Sequence, residues 1–99
     1  METTKNAVAN GIEIVVSGRI DTVTAPDLQT ALLPEFADVK EITLNLAAVN
    51  YISSAGLRVL LAAEKESKKR GGKFIITGVI PEVQDVFDMT GFSDILTIE

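Results

Sequence analysis

The sequence predicts an α/β fold, a mixed central sheet of about five strands with helices mainly on one face, in the order β-β-α-β-α-β-α-β. Short segments that alternate apolar and polar residues, such as Ile42-Thr43-Leu44-Asn45-Leu46, recur along the chain. Between them lie stretches whose apolar residues return at helical spacing, and Gly, Pro and Asn punctuate the joints. Such strand–helix–strand alternation implies right-handed crossovers and parallel neighbours.

Asn10-Gly11 is a two-residue hairpin signal, because both central positions of that turn want positive φ. It joins a weak strand near Thr3–Ala9 to a firmer one at Ile12–Ser17, where Ile12, Ile14 and Val16 alternate with Glu13, Val15 and Ser17. Gly18 loosens the backbone and Arg19-Ile20-Asp21 leads out. Thr24 with Asp27 has capping-box spacing, Pro26 suits a first turn, and Ala25, Leu28 and Leu32 share a helical face. Pro34 should stop this helix near Leu33, or one turn later at Phe36. Glu41–Leu46 is the next strand, and AAVNYISSAG reads as the connection from it to a second helix. From Ala55 to Ala63 the only charge is Arg58, so the front of that helix should be buried. Its back half, residues 64–70, is fully polar, and Gly71-Gly72 supplies a C-terminal cap. Lys73–Thr77 is a strand, Pro81 opens a third helix with Val83, Val86 and Phe87 on one face, Gly91 follows it, and Ile95–Ile98 is a short last strand. With no repeat, linker or low-complexity tract, residues 1–99 read as a single domain.

Composition narrows the chemistry. The chain has 46% apolar and 23% charged residues, as a foldable sequence should. It has no Cys, hence no disulfide, thiol chemistry or thiolate metal site, and no His, hence neither the usual general base nor the commonest metal ligand. The net charge of −5 argues against nucleic acid and anionic membranes. No apolar run approaches the ~20 residues of a membrane span, and METTKNAVAN has no signal-peptide core. The expectation is a cytoplasmic single domain with most enzyme chemistry disfavoured and no cofactor.

Ser53-Ser54-Ala55-Gly56 lies where a loop becomes a helix. One serine suffices as an N-cap. The other could be an exposed hydroxyl that is phosphorylated or binds an anion, since helix N-termini favour negative charge. A hydrolytic nucleophile is disfavoured: the segment is not G-x-S-x-G and has no His partner. Asp21, on a loop at one end of the sheet, is either a turn-stabilising aspartate or a site residue. Asp85 and Asp88, one turn apart, read as a solvated face. Lys65, Lys68, Lys69 and Arg70 complement the helix dipole and are diluted by Glu64 and Glu66.

Gly18-Arg19-Ile20-Asp21, Ile42-Thr43-Leu44-Asn45-Leu46, Tyr51-Ile52-Ser53-Ser54-Ala55-Gly56-Leu57 and Phe87-Asp88-Met89-Thr90-Gly91, in this order, resemble the successive motifs of STAS domains, and most closely those of the bacterial anti-sigma factor antagonists. The resemblance runs from about Gly11 to Ile98. It implies a protein that is not an enzyme and that captures an anti-sigma factor, itself a GHKL-type serine kinase, so freeing a sigma factor for transcription. Phosphorylation by that kinase releases the antagonist, and a PP2C-type phosphatase resets it. Carried over by position, Ser54 matches the phosphoacceptor, Gly56 the motif glycine and Asp21 the acidic residue of the neighbouring loop. Ile52, Ser53, Ala55, Gly56 and Leu57, with Asp21, are the expected contact residues. Ser53 stands where the family often has Asp, and Ala55 where it often has Ser or Thr, so Ser53 competes as acceptor. Many relatives carry a further helix after the position of Glu99, and its absence would favour self-association or a covering partner. Two other readings stay open. One is a STAS subunit of a lipid-transport complex with an ABC-type ATPase. The other is a sensor binding an anion or nucleotide at the same helix N-terminus.

Overall fold

The first hairpin pairs β1 (Glu2–Val8) antiparallel to β2 (Gly11–Ile20), with Val8 opposite Gly11, in a computed structural model that describes residues 1–99. The turn is therefore Ala9-Asn10, one residue earlier than the Asn-Gly signal indicates, and neither residue has positive φ. Gly11 serves a different need: a Cβ there would lie 1.8 Å from the Glu41 carbonyl oxygen, so only glycine lets β2 start flush against β3 (Glu41–Ile52).

The strands β2, β3, β4 (Lys73–Thr77) and β5 (Thr97–Ile98) are mutually parallel, and the sheet order is β1-β2-β3-β4-β5. Because each parallel step moves the same way across the sheet, right-handed crossovers place α1 (Ala25–Leu32), α2 (Ser54–Lys69) and α3 (Pro81–Thr90) on one face. One core cluster results. Ile14, Val16 and Ile20 of β2, Ile42, Leu44 and Leu46 of β3, and Phe74 and Ile76 of β4 meet Leu28, Leu32, Leu60, Val83 and Phe87 of the helices. Phe36 packs edge-on to Phe74, with ring centroids 5.8 Å apart. Thr43, Asn45, Ile75 and Thr77, on the opposite sheet face, stay half-buried.

The sequence reading needs correction at other places too. The Thr24–Asp27 capping box does not form: Thr24 is itself in helical conformation with no side-chain cap bond. The α1 start is held by Asp21, whose carbonyl accepts from the Ala25 N–H at 2.8 Å. After Leu32 the chain continues as a 3-10 turn, Leu33–Ala37, around Pro34. Next, residues 47–52 are strand, not connection. Two irregularities in the β2–β3 register, at Val15/Ser17 and Gly18/Arg19, turn the inward repeat of β3 from two to three, so that Leu46, Val49 and Ile52 face the core. Gly18, at φ +95°, sits in this irregular stretch. Finally, the back of α2 is not wholly solvated, since Glu64 and Ser67 are buried, while Lys68–Glu64 and Arg70–Glu66 form ion pairs along the helix. Gly71 and Gly72 do cap it: the Gly72 N–H donates to the Ser67 carbonyl and the Gly71 N–H to that of Lys68, with Gly71 at φ +69°. Gly91, at φ +81°, ends α3 likewise. A 3-10 turn, Phe92–Asp94, follows, and β5 keeps only the last two residues of its expected range.

Candidate functional site

The site forms where β2 and β3 end together. The Ser53 N–H donates to the Ile20 carbonyl at 2.8 Å, which sets the loop after β2 beside the first turn of α2. Ser53 is the N-cap: its backbone is extended and its Oγ accepts from the Gly56 N–H at 3.3 Å. Ser54 is the first helical residue and is exposed, with its hydroxyl uncommitted within the protein. Of the two serines, Ser53 takes the capping role and Ser54 is left exposed. Ser53→Ala should lower stability by about 1 kcal/mol, read as a melting temperature roughly 4–8 °C lower for a chain of this size. Ser54→Ala should leave the melting temperature within about 2 °C. Equal losses would contradict this assignment.

Asp21 is half-buried and committed to its own turn. Its Oδ1 accepts from the N–H groups of Thr24 and Val23, both at 3.0 Å. The Thr24 hydroxyl accepts from the Asp21 N–H at 2.8 Å and lies 2.9 Å from the Arg19 carbonyl. The Thr24 amide above all, then the Thr24 hydroxyl, the Val23 amide and the nearby Arg19 charge, hold the Asp21 carboxyl below its usual range despite some desolvation. Asp88 is lowered too, through the Ser93 hydroxyl and the Gln84 amide. Both groups therefore favour the folded chain when ionised. Their contribution is complete above the unfolded aspartate pKa of about 4 and is lost as pH falls through the lower folded values. Asp21→Asn and Asp88→Asn should each reduce the stability difference between pH 7 and pH 3 in urea titrations. An unchanged difference in both would refute the linkage.

The expected contact residues separate into two layers. Ile52, 3% exposed, and Leu57, 6% exposed, face the core, and Gly56 is buried under the helix start. They support the site rather than form its surface. Ser54 is exposed, and Ser53, Ala55 and Asp21 are half-buried at the surface. Sequence reasoning missed the rest of this surface. Thr22, Pro26, Gln29 and Arg58, beside the expected Ala55, line a shallow cleft of about 240 Å³ between α1 and α2. Val23 is 82% exposed at the tip of the loop. Arg58 lies four residues after Ser54, on the same helix face, and is exposed. Its isolation in an otherwise uncharged run was the available signal.

A family model described as "STAS domain" matches residues 2–99. The anti-sigma-B factor antagonist of Listeria monocytogenes is 36% identical over 91 residues, covering 89% of this chain and 78% of that protein. The chain belongs to the STAS-domain anti-sigma factor antagonist family. The corresponding antagonist of Bacillus subtilis is 33% identical over 89 residues, covering 90% of this chain and 82% of that protein. Among solved structures, an anti-sigma factor antagonist from Mycobacterium paratuberculosis superposes with a TM-score of 0.88 at 28% identity, covering 98% of this chain and 83% of that one. This STAS-domain chain carries no helix long and apolar enough to cross a membrane.

Proposed function

We infer that the chain is an anti-sigma factor antagonist that binds an anti-sigma factor through the α2 start and the loop after β2, and that phosphorylation of Ser54 ends the binding. The observation that carries this reading is the division of labour between the serines: Ser53 caps α2, which leaves Ser54 exposed on a helix that does not need its hydroxyl. The relatives named anti-sigma-B factor antagonists support the partner class. A phosphoryl group on Ser54 adds about −1.5 to −2 charge. The fold tolerates it, because the free N–H groups of the first turn and the Arg58 side chain one turn on face the same region. A partner surface lying against Ala55, Pro26 and Val23 does not, because closing it strips the phosphoryl group of water. In this reading the anti-sigma factor is a GHKL-type serine kinase that modifies Ser54, and a PP2C-type phosphatase restores it.

The test is a pull-down from the native host's lysate, comparing wild type with Ser54→Asp by mass spectrometry. Retention of a GHKL-fold anti-sigma factor by wild type and its loss with the variant is the expected result. An ABC-type ATPase retained equally by both would overturn the reading and leave Ser54 a helix residue without a switching role.

A further inference from the structure

Arg19 and Tyr51 are direct neighbours in the β2–β3 register, one residue before the buried pair Ile20 and Ile52. Strand alternation therefore turns both away from the helices, onto the other face of the sheet, at the same end as Ser54. The Arg19 guanidinium carbon lies 4.2 Å above the centroid of the Tyr51 ring. Its Nε is 3.8 Å from Asp21 Oδ2, so the aspartate that builds the loop also anchors the arginine. Even so, the Arg19 side chain is 59% exposed and Tyr51 41%. A long cationic side chain thus sits with its guanidinium over an aromatic ring and its Nε near a carboxylate, and stays more than half exposed.

Arginine and tyrosine recur among the few residues that dominate protein interfaces, and a side chain held in place beforehand loses less freedom on binding. A guanidinium fork matches a carboxylate with two parallel hydrogen bonds. We propose that the stacked Arg19–Tyr51 pair is a second contact point for the protein partner, receiving an aspartate or glutamate side chain of that partner on the helix-free face of the sheet. The contact rests on the proposed anti-sigma factor reading and extends that interface around the sheet end, beyond the α2 start.

The experiment measures the affinity of the captured anti-sigma factor for wild type and for Arg19→Gln, Arg19→Lys, Tyr51→Leu and Tyr51→Phe, at low and high salt. Arg19→Gln and Tyr51→Leu should each weaken binding about tenfold, and Arg19→Gln should also flatten the salt dependence. Arg19→Lys keeps the charge without the planar fork and should fall between, and Tyr51→Phe keeps the ring and should match wild type. Hydrogen exchange at the Val23 and Thr24 amides, which bond to Asp21, controls for the loop. Unchanged protection with lost affinity supports the contact. Binding of Arg19→Gln within about twofold of wild type overturns it, as does an affinity loss accompanied by lost protection at those amides. If wild type retains no anti-sigma factor, the functional reading fails and this contact falls with it. If wild type binds and Arg19→Gln binds equally, only the contact fails.

Discussion

Ser54→Asp should weaken binding to the anti-sigma factor by two decades or more, while Ser54→Ala should stay within about threefold of wild type. The size follows from where the charge arises. Ser54 is exposed in the free chain, so a carboxylate there keeps its water and gains the favourable field of the helix N-terminus. In the complex the same carboxylate would lose its water in a closed contact around Ala55 and the α1–α2 cleft, and stripping a charge of water there costs several kcal/mol. At about 1.4 kcal/mol per tenfold, that is two or more decades. The effect should lie mainly in the dissociation rate, as for most interface substitutions. Titration calorimetry of both variants checks it, with circular dichroism to establish that Ser54→Asp is folded. Equal affinity of the two variants would remove Ser54 from the interface and end the switching account.

Where the sequence was readable, local chemistry and tertiary demand agreed. Lys73–Thr77 and the α3 start at Pro81 are as expected, and Gly71-Gly72 closes α2 as the expected cap. Misreadings arose where long-range packing overrode a local signal. Asn10-Gly11 has the composition of a tight turn, but Gly11 is glycine because the Glu41 carbonyl leaves no room for a Cβ, a contact thirty positions away in sequence. Residues 47–52 lack alternation because irregular pairing with β2 changes their inward repeat, so period alone hid half of β3. Thr24–Asp27 has the right spacing for a cap, but the Asp21 turn takes the Thr24 hydroxyl for itself. At the site, residue identity located the serines, and only the fold could separate the exposed Ser54 and Arg58 and the half-buried Ala55 from the buried Ile52 and Leu57.

Gly56→Val should be the most damaging single change near the site, costing about 3 kcal/mol and lowering the melting temperature by roughly 12–24 °C. Gly56 is where the first turn of α2 presses on the ends of β2 and β3. A Cβ there would come within 2.6 Å of Ile20 Cγ2 and 2.8 Å of Ile52 Cγ1, both in a register pair that closes the core at this end. Neither atom is the end of a long flexible chain, so relief requires α2 to lift or both isoleucines to leave their rotamers. Alanine raises helix propensity by up to about 1 kcal/mol over glycine, which offsets part of its clash. Valine adds two methyl groups to the same space and forgoes most of that gain. Gly56→Ala should therefore fall between wild type and Gly56→Val. Lifting α2 also moves Ser53 off the Ile20 carbonyl and displaces Ser54, so partner affinity should fall even well below the melting temperature. Thermal melts of the two variants, with the Ser53 amide followed by hydrogen exchange, test both halves of the argument. A Gly56→Val chain that melts within about 2 °C of wild type would show that α2 can tilt freely, and that Gly56 does not set the position of Ser54.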